Sequence, residues 1–266
     1  MTTAPGTSGT NRKTGKIHLV GLGPGDARYM TPAASQVLAE SDVIVGFRGY
    51  IKQIQQLTAG KEVVSMELGQ ELERAAAAVD LAYAGKTVAV VSSGDAGIYG
   101  MSGPVFRVLT DRNWDGVNPA VETVPGVSAM QAAAAVLGSP LMQDFCAISL
   151  SDLLTPWEKI RGRLEAAGQG DFVVALYNPR SQRRQSQLLE AREILLKHRP
   201  GDTPVGIVGD AFRPGQRVKI TTLQDLEKEA ESVDMVTIVV IGNSSTYLHG
   251  GRVITPRGYE EKTKAN

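Results

Sequence analysis

Cysteine occurs once in the 266 residues, at Cys146, which excludes an internal disulfide framework and any cysteine-rich metal site. Histidine is nearly as scarce, and His18, His198 and His249 share no zinc-like spacing, so no protein-bound metal is expected. Net charge is missing too: 28 Lys and Arg balance 28 Asp and Glu. That balance argues against nucleic-acid binding through a general field, although not against a local basic patch. No apolar run reaches the ~20 residues of a membrane span, and the polar N-terminus lacks a signal-type apolar segment. The chain reads as a cytoplasmic protein that engages neither nucleic acid nor membrane. What it does have is 42% hydrophobic residues, enough for a sizeable core, and 29 glycines against only 5% aromatics. The interest should therefore lie in glycine-rich turns.

Residues 1–15 and 258–266 are polar, without apolar periodicity, and read as flexible tails. Between them short β-branched runs alternate with helical patterns. Residues 17–20, 42–45, 87–91, 120–124, 145–150, 172–176, 205–208, 217–220 and 235–241 read as strands. Helices are expected over 31–41, with Thr31 as cap and Pro32 in the first turn, and over 71–84, 127–137, 157–167 and 182–198. This alternation predicts mainly parallel sheets in two α/β lobes, 16–122 and 123–257.

Glycine-rich turns follow the strands. Gly21-Leu22-Gly23-Pro24-Gly25-Asp26 departs from the dinucleotide pattern, since its third glycine comes one position early, Pro24 removes an amide and Asp26 adds negative charge. A Walker lysine is absent as well. The turn suits a neutral or cationic ligand edge, or is simply a tight strand exit. Ser92-Ser93-Gly94-Asp95-Ala96-Gly97-Ile98-Tyr99-Gly100 offers bare backbone and one carboxylate, fit for hydroxyls, an ammonium or a sulfonium; the alternative makes Asp95 a cap for the helix that follows. In Thr123-Val124-Pro125-Gly126-Val127-Ser128-Ala129-Met130, Ser128 is as good a cap as a ligand contact. Leu176-Tyr177-Asn178-Pro179-Arg180-Ser181 and Val208-Gly209-Asp210-Ala211-Phe212-Arg213-Pro214 complete the set. Every one of these turns falls at the C-terminal end of an apolar run, where open α/β sheets bind ligands.

Together, G-L-G-P-G-D, S-G-D-A-G-I-Y-G and V-P-G-V-S-A resemble the tetrapyrrole methylases, the class III S-adenosylmethionine-dependent methyltransferases of corrin and sirohaem synthesis. The likeness runs from about Lys16 to Arg257. Residues 148–157 (I-S-L-S-D-L-L-T-P-W) and 175–181 (A-L-Y-N-P-R-S) are similar to the branch that methylates precorrin-3B at C17 and contracts its ring, as is Gly46-Phe47-Arg48-Gly49-Tyr50. In the uroporphyrinogen methylases an Asp stands near Phe47, so the base proposed for those relatives does not carry over. The resemblance implies an α/β fold of two lobes with a cofactor and substrate cleft between them, usually in a homodimer. It assigns S-adenosyl-L-methionine contacts to Pro24, Ser93, Gly94, Asp95, Ile98, Ser128, Ala129, Asn178 and Ala211, the last two toward the adenosine part. Asn178 stands where the uroporphyrinogen methylases commonly have a methionine.

The implied chemistry divides the remaining candidates. Methyl transfer from a sulfonium depends on alignment, whereas ring contraction needs a proton removed and a place for a new carboxylate. Asp152 and Ser151 are the leading catalytic candidates, against a turn role for Asp152, and Tyr50 is either a macrocycle contact or core. Tetrapyrrole substrates carry many carboxylates, which arginine forks match. Arg180, beside Pro179, and Arg48 are the substrate-binding candidates, while Arg183 and Arg184 read as a solvated helix start. Cys146 and His18 read as structural. Other readings stay open: methylation at another corrin position, a non-catalytic tetrapyrrole carrier, a Rossmann dehydrogenase, an RNA methyltransferase of related fold. So does the choice between metal-free and cobalt-containing substrate.

Overall fold

The computed structural model describes residues 14–259. Most of both expected tails, 1–13 and 260–266, lies outside the described residues. The chain packs as two units. The first takes in the stretch up to Gly23 and Ala27–Val127; the second takes Pro24–Asp26 and the chain from Ser128 onward.

The first unit contains β1 (Lys16–Gly21), α1 (Pro32–Glu40), β2 (Val43–Phe47), α2 (Arg48–Gln53), β3 (Glu62–Met66), α3 (Glu71–Tyr83), β4 (Thr87–Ser92), α4 (Ser102–Asp111) and β5 (Ala120–Val124). Its sheet has the order β3-β2-β4-β1-β5, with every pairing parallel. Side chains alternate across each strand. Ile17, Leu19, Val88 and Val90 face α3 and α4, and Val20, Ala89 and Val91 pack with Ala34 and Leu38 of α1. Burial on both faces explains why β1, β2 and β4 are near-continuous apolar runs. Thr31 caps α1 as expected, its hydroxyl accepting the Ala34 amide at 3.1 Å, with Pro32 in the first turn. Helix α2 and strand β3 escaped the sequence reading: the first is short with no fully buried residue, the second an edge strand with exposed positions.

In the second unit the elements are α5 (Ala129–Leu137), β6 (Gly138–Ser139), β7 (Phe145–Ser149), α6 (Trp157–Gln169), β8 (Val173–Tyr177), α7 (Gln187–Leu196), β9 (Pro204–Gly209), β10 (Arg217–Thr222), α8 (Leu226–Glu229), β11 (Thr237–Ile241), β12 (Tyr247–His249) and β13 (Arg252–Ile254). The main sheet runs β10-β9-β11-β8-β7, and here the expectation of a mainly parallel sheet fails. Only β7 and β8 pair parallel; β11 inserts antiparallel between β8 and β9, and β10 folds back antiparallel on β9. Two antiparallel steps restore direction, so β7, β8 and β9 all point the same way. Helices α6 and α7 cover one face through Ile160, Leu164, Leu188 and Ile194, and α5 covers the other through Met130, Ala133 and Leu137. A small sheet, β12-β13-β6, completes the unit.

Another correction concerns α7. A helix over 182–198 was expected, but it starts only at Gln187. Before it, Ser181 and Arg184 exchange backbone hydrogen bonds of 2.9 and 3.2 Å, a tight turn that holds the chain off the helix axis.

Candidate functional site

In the first unit, four glycines from three strand ends meet backbone to backbone. Gly23 and Gly94 form a bridge, each amide donating to the other's carbonyl at 3.0 and 2.8 Å. A Cβ on Gly21 would lie 2.7 Å from both the Gly126 nitrogen and the Gly94 oxygen. Only glycine permits that approach. Gly94 also sits at φ 67°, in the left-handed region.

Asp95 locks this cluster. Its Oδ1 accepts the Gly97 amide at 2.8 Å and its Oδ2 accepts the Gly126 amide at 3.0 Å. It does not cap the following helix, which starts at Ser102 after Met101. Beneath it, the buried Ser92 hydroxyl accepts the Met101 amide at 3.0 Å. Ile98 and Tyr99 stand exposed on the same turn, Tyr99 at φ 53°. Between Ser92 and Met101 there is no Lys or Arg. Bare backbone, an exposed apolar edge and a turn without Lys or Arg fit a sulfonium nucleoside better than a phosphate.

Tyr50 and Arg48 lie after β2. The Tyr50 ring meets Phe47 edge-on at 5.1 Å and packs half-buried against the α1-side core. Arg48 is exposed and pairs with Glu67 at 2.6 Å, so a substrate carboxylate would have to displace that partner.

In the second unit the turns after β7, β8 and β9 gather at one end of the sheet. Asn178 adopts φ 50° and its Nδ2 donates to Ser149 Oγ at 3.0 Å; the same oxygen accepts the Ser151 amide at 3.2 Å. Asp152 Oδ2 accepts from Gln187 Nε2 at 2.9 Å. Asp210 and Phe212, flanking Ala211, have φ 50° and 58°. Non-glycine residues in this region are uncommon and gather at functional turns.

Ser128 caps α5 in a capping box: its hydroxyl accepts the Gln131 amide at 3.2 Å while Gln131 Oε1 accepts the Ser128 amide at 3.0 Å. Next to Ala129, the Met130 amide donates to the Tyr177 hydroxyl at 3.1 Å. Pro24 is held by Arg213, whose Nε donates to the Pro24 carbonyl. Gly25, at φ 145°, leaves room for that guanidinium, since a Cβ there would lie 2.5 Å from Arg213 Nε.

Arg180 lines a cavity of about 520 Å³ together with Ser181, Gln182, Gln185 and residues 233–236, and one Nη donates to the Ala230 carbonyl at 2.6 Å. Arg183 is exposed, as expected. Arg184 is not: it is only 4% exposed, buried under the Ser151 and Asn178 turns. Burial pushes its pKa down, opposed by Asp152. Sequence reading missed Arg184, Gln187, Tyr177 and Arg213, whose roles arise from contacts between distant parts of the chain. Cys146 is half-buried on β7 with its pKa raised by burial, and His18 is buried on β1.

A family model described as Tetrapyrrole (Corrin/Porphyrin) Methylases matches residues 16–227. The cobalt-factor III methyltransferase of Priestia megaterium is 48% identical over 255 residues, which are 95% of this chain and 46% of that protein. The chain thus spans about half the length of that relative. The probable cobalt-factor III C(17)-methyltransferase of Salmonella typhimurium is 44% identical over 243 residues, 91% of this chain and 99% of that one. Among solved structures, the methyltransferase CobJ matches with a TM-score of 0.85 at 37% identity, covering 91% of this chain and 100% of its own.

Proposed function

Because the chain belongs to the tetrapyrrole (corrin/porphyrin) methylases, we propose that it moves the methyl group of S-adenosyl-L-methionine to C17 of a precorrin-3B-type macrocycle and contracts the ring, toward precorrin-4, in cobalamin biosynthesis. The observation that carries this reading is the glycine cluster locked by Asp95, whose turn over residues 92–101 holds no Lys or Arg and so suits a sulfonium donor. Relatives named for cobalt-factor III favour the cobalt-containing substrate over its metal-free counterpart.

In the first unit the donor contacts are assigned to Ser93, Gly94, Asp95 and Ile98. Those assigned to the second are Pro24, Ser128, Ala129, Asn178 and Ala211. Asp95 also shapes the backbone that meets the donor, since each of its oxygens holds a main-chain amide. The donor supplies an electrophilic methyl carbon with its leaving group attached. What the chain contributes to that step is alignment, worth effective molarities of about 10^5–10^8 M in well-oriented cases.

In the aerobic chemistry of metal-free precorrin-3B, contraction needs a hydroxyl proton taken up as the acyl carbon migrates, and a partner for the carboxylate released when the lactone opens. Asp152, fixed by Gln187, takes the base role with Ser151 beside it. Arg180, on its cavity, is the carboxylate anchor, with Arg48 and Tyr50 as further macrocycle contacts. The enzyme works in the cytoplasm as a homodimer, which equilibrium sedimentation tests.

The deciding experiment offers the protein methyl-labelled S-adenosylmethionine with metal-free precorrin-3B or with cobalt-factor III. Mass spectrometry and NMR of the product should show one added methyl at C17 and a contracted ring. Binding without turnover would point to a carrier. A methyl at another carbon would reassign the position.

A further inference from the structure

Arg184 is the least expected side chain in the second unit. Burying a guanidinium is costly unless its donors are used, and an apolar side chain would fill the space more simply. Its donors reach three separate segments. Nε donates to the Asn178 carbonyl at 3.0 Å, Nη1 to Ser151 Oγ at 3.4 Å, and Nη2 to Met235 Sδ at 3.5 Å. Asp152 Oδ1 lies 4.0 Å from Nη1, while Gln187 holds that carboxylate's other oxygen.

These bonds close a ring. Arg184 holds the Asn178 backbone; the Asn178 amide donates to Ser149 Oγ; Ser149 Oγ accepts the Ser151 amide; and the Ser151 hydroxyl accepts from Arg184. The ring joins the ends of β7 and β8. It also holds Asn178 at φ 50° with its side chain turned onto Ser149.

We infer that Arg184 is a positioning residue, one buried guanidinium that keeps Asn178 and the Ser151–Asp152 turn in a single register. This rests on the reading above, in which Asn178 faces the methyl donor and Asp152 the macrocycle. The carbonyl and hydroxyl acceptors fix geometry, and the guanidinium stands 4.0 Å from Asp152 Oδ1.

Two variants test this role. Arg184→Lys keeps the charge but cannot span the ring; Arg184→Gln loses both. Misplacing reacting groups by about 1 Å costs roughly 10^2-fold in rate, so both variants should lose one to two orders of magnitude in kcat, with a smaller change in the macrocycle KM. Wild-type kcat in Arg184→Gln overturns the proposal. So does a loss that merely tracks the unfolded fraction. Should Arg184→Gln not fold, Arg184→Lys carries the kinetic test. Hydrogen exchange judges the ring without turnover: residues 149–152 and 178–184 should lose protection together in either variant, and unchanged protection overturns the proposal. If the wild type methylates neither macrocycle the functional reading fails, and the exchange result still stands or falls alone.

Discussion

The Gly126 amide donates to Asp95 Oδ2 at 3.0 Å, tying the turn after β5 to the turn after β4. With Oδ1 on Gly97, this one carboxylate holds two main-chain amides. Asp95→Ala should therefore lower stability by about 1.5–3 kcal/mol, the usual worth of a hydrogen bond to a charged group. Asp95→Asn, which keeps a single acceptor, should lose less. Thermal melts give the ranking, and calorimetry with S-adenosylhomocysteine should show affinity falling in the same order.

A methyl group on Gly126 would run into the Gly94 carbonyl and lie 2.8 Å from the Gly21 carbonyl. The obstacles are backbone, which yields little. Gly126→Ala should cost about 1–3 kcal/mol, as overpacking does, and weaken donor binding more than macrocycle binding. Isotherms for each ligand measure the difference.

Arg180→Ala removes a charge-assisted donor from the cavity beside residues 233–236. Loss of about 1.5–3 kcal/mol of binding should raise the tetrapyrrole Kd roughly 10- to 100-fold and leave S-adenosylhomocysteine affinity in place. A change confined to the nucleoside would reassign the residue.

Asp152→Asn retains the size of the side chain and an acceptor for Gln187 Nε2 but removes the basic oxygen. General-base losses run about 10^2–10^4-fold. Contraction should slow by that order while C17 methylation continues, so a methylated, uncontracted product accumulates in the mass spectrum.

His18 gives a pH test. Burial, assisted by Lys16, holds its pKa below the ordinary value of about 6.5, against an opposing pull from Glu122 and Glu40. The unfolded chain therefore takes up the proton first. This contribution to stability is complete above about pH 6.5 and is lost as pH falls toward the folded value. Glu122, whose own pKa is lowered chiefly by Lys16, acts only at lower pH, in the carboxylate range. Urea midpoints should fall between about pH 7.5 and about pH 5.5 in the wild type and fall less in His18→Gln. Equal slopes would remove His18 as the source.

Local features were legible because their causes are local. Thr31-Pro32 announces α1 through one hydroxyl and one fixed φ, and β4 announces itself through a β-branched run buried on both faces. The glycine turns were legible as sites, though Gly21, Gly94 and Gly126 could not be seen to converge. Ser128 left two roles open, and its capping box fills one of them. Arg184 was misread because a helix from Gln182 would put it on a wet face; the Ser181–Arg184 turn instead directs it inward. Asp152 and Gln187 lie 35 residues apart, and no spacing rule links them. The placement of β11 was illegible for a related reason: a short apolar strand carries no mark of its neighbours or its direction.

That late strand bears on how the chain can be shortened and how it is made. Thr237–Ile241 lies beyond residue 227, where the family match stops, yet it is the middle strand of the second unit's main sheet. A fragment trimmed to the matched span would leave β8 and β9 with bare facing edges, each a template for association with other chains. During synthesis the same gap persists until residue 241 has left the ribosome. Only then can the turns at Asn178 and Asp210 be fixed in the same sheet. Until then the facing edges of β8 and β9 stay open to edge-to-edge association.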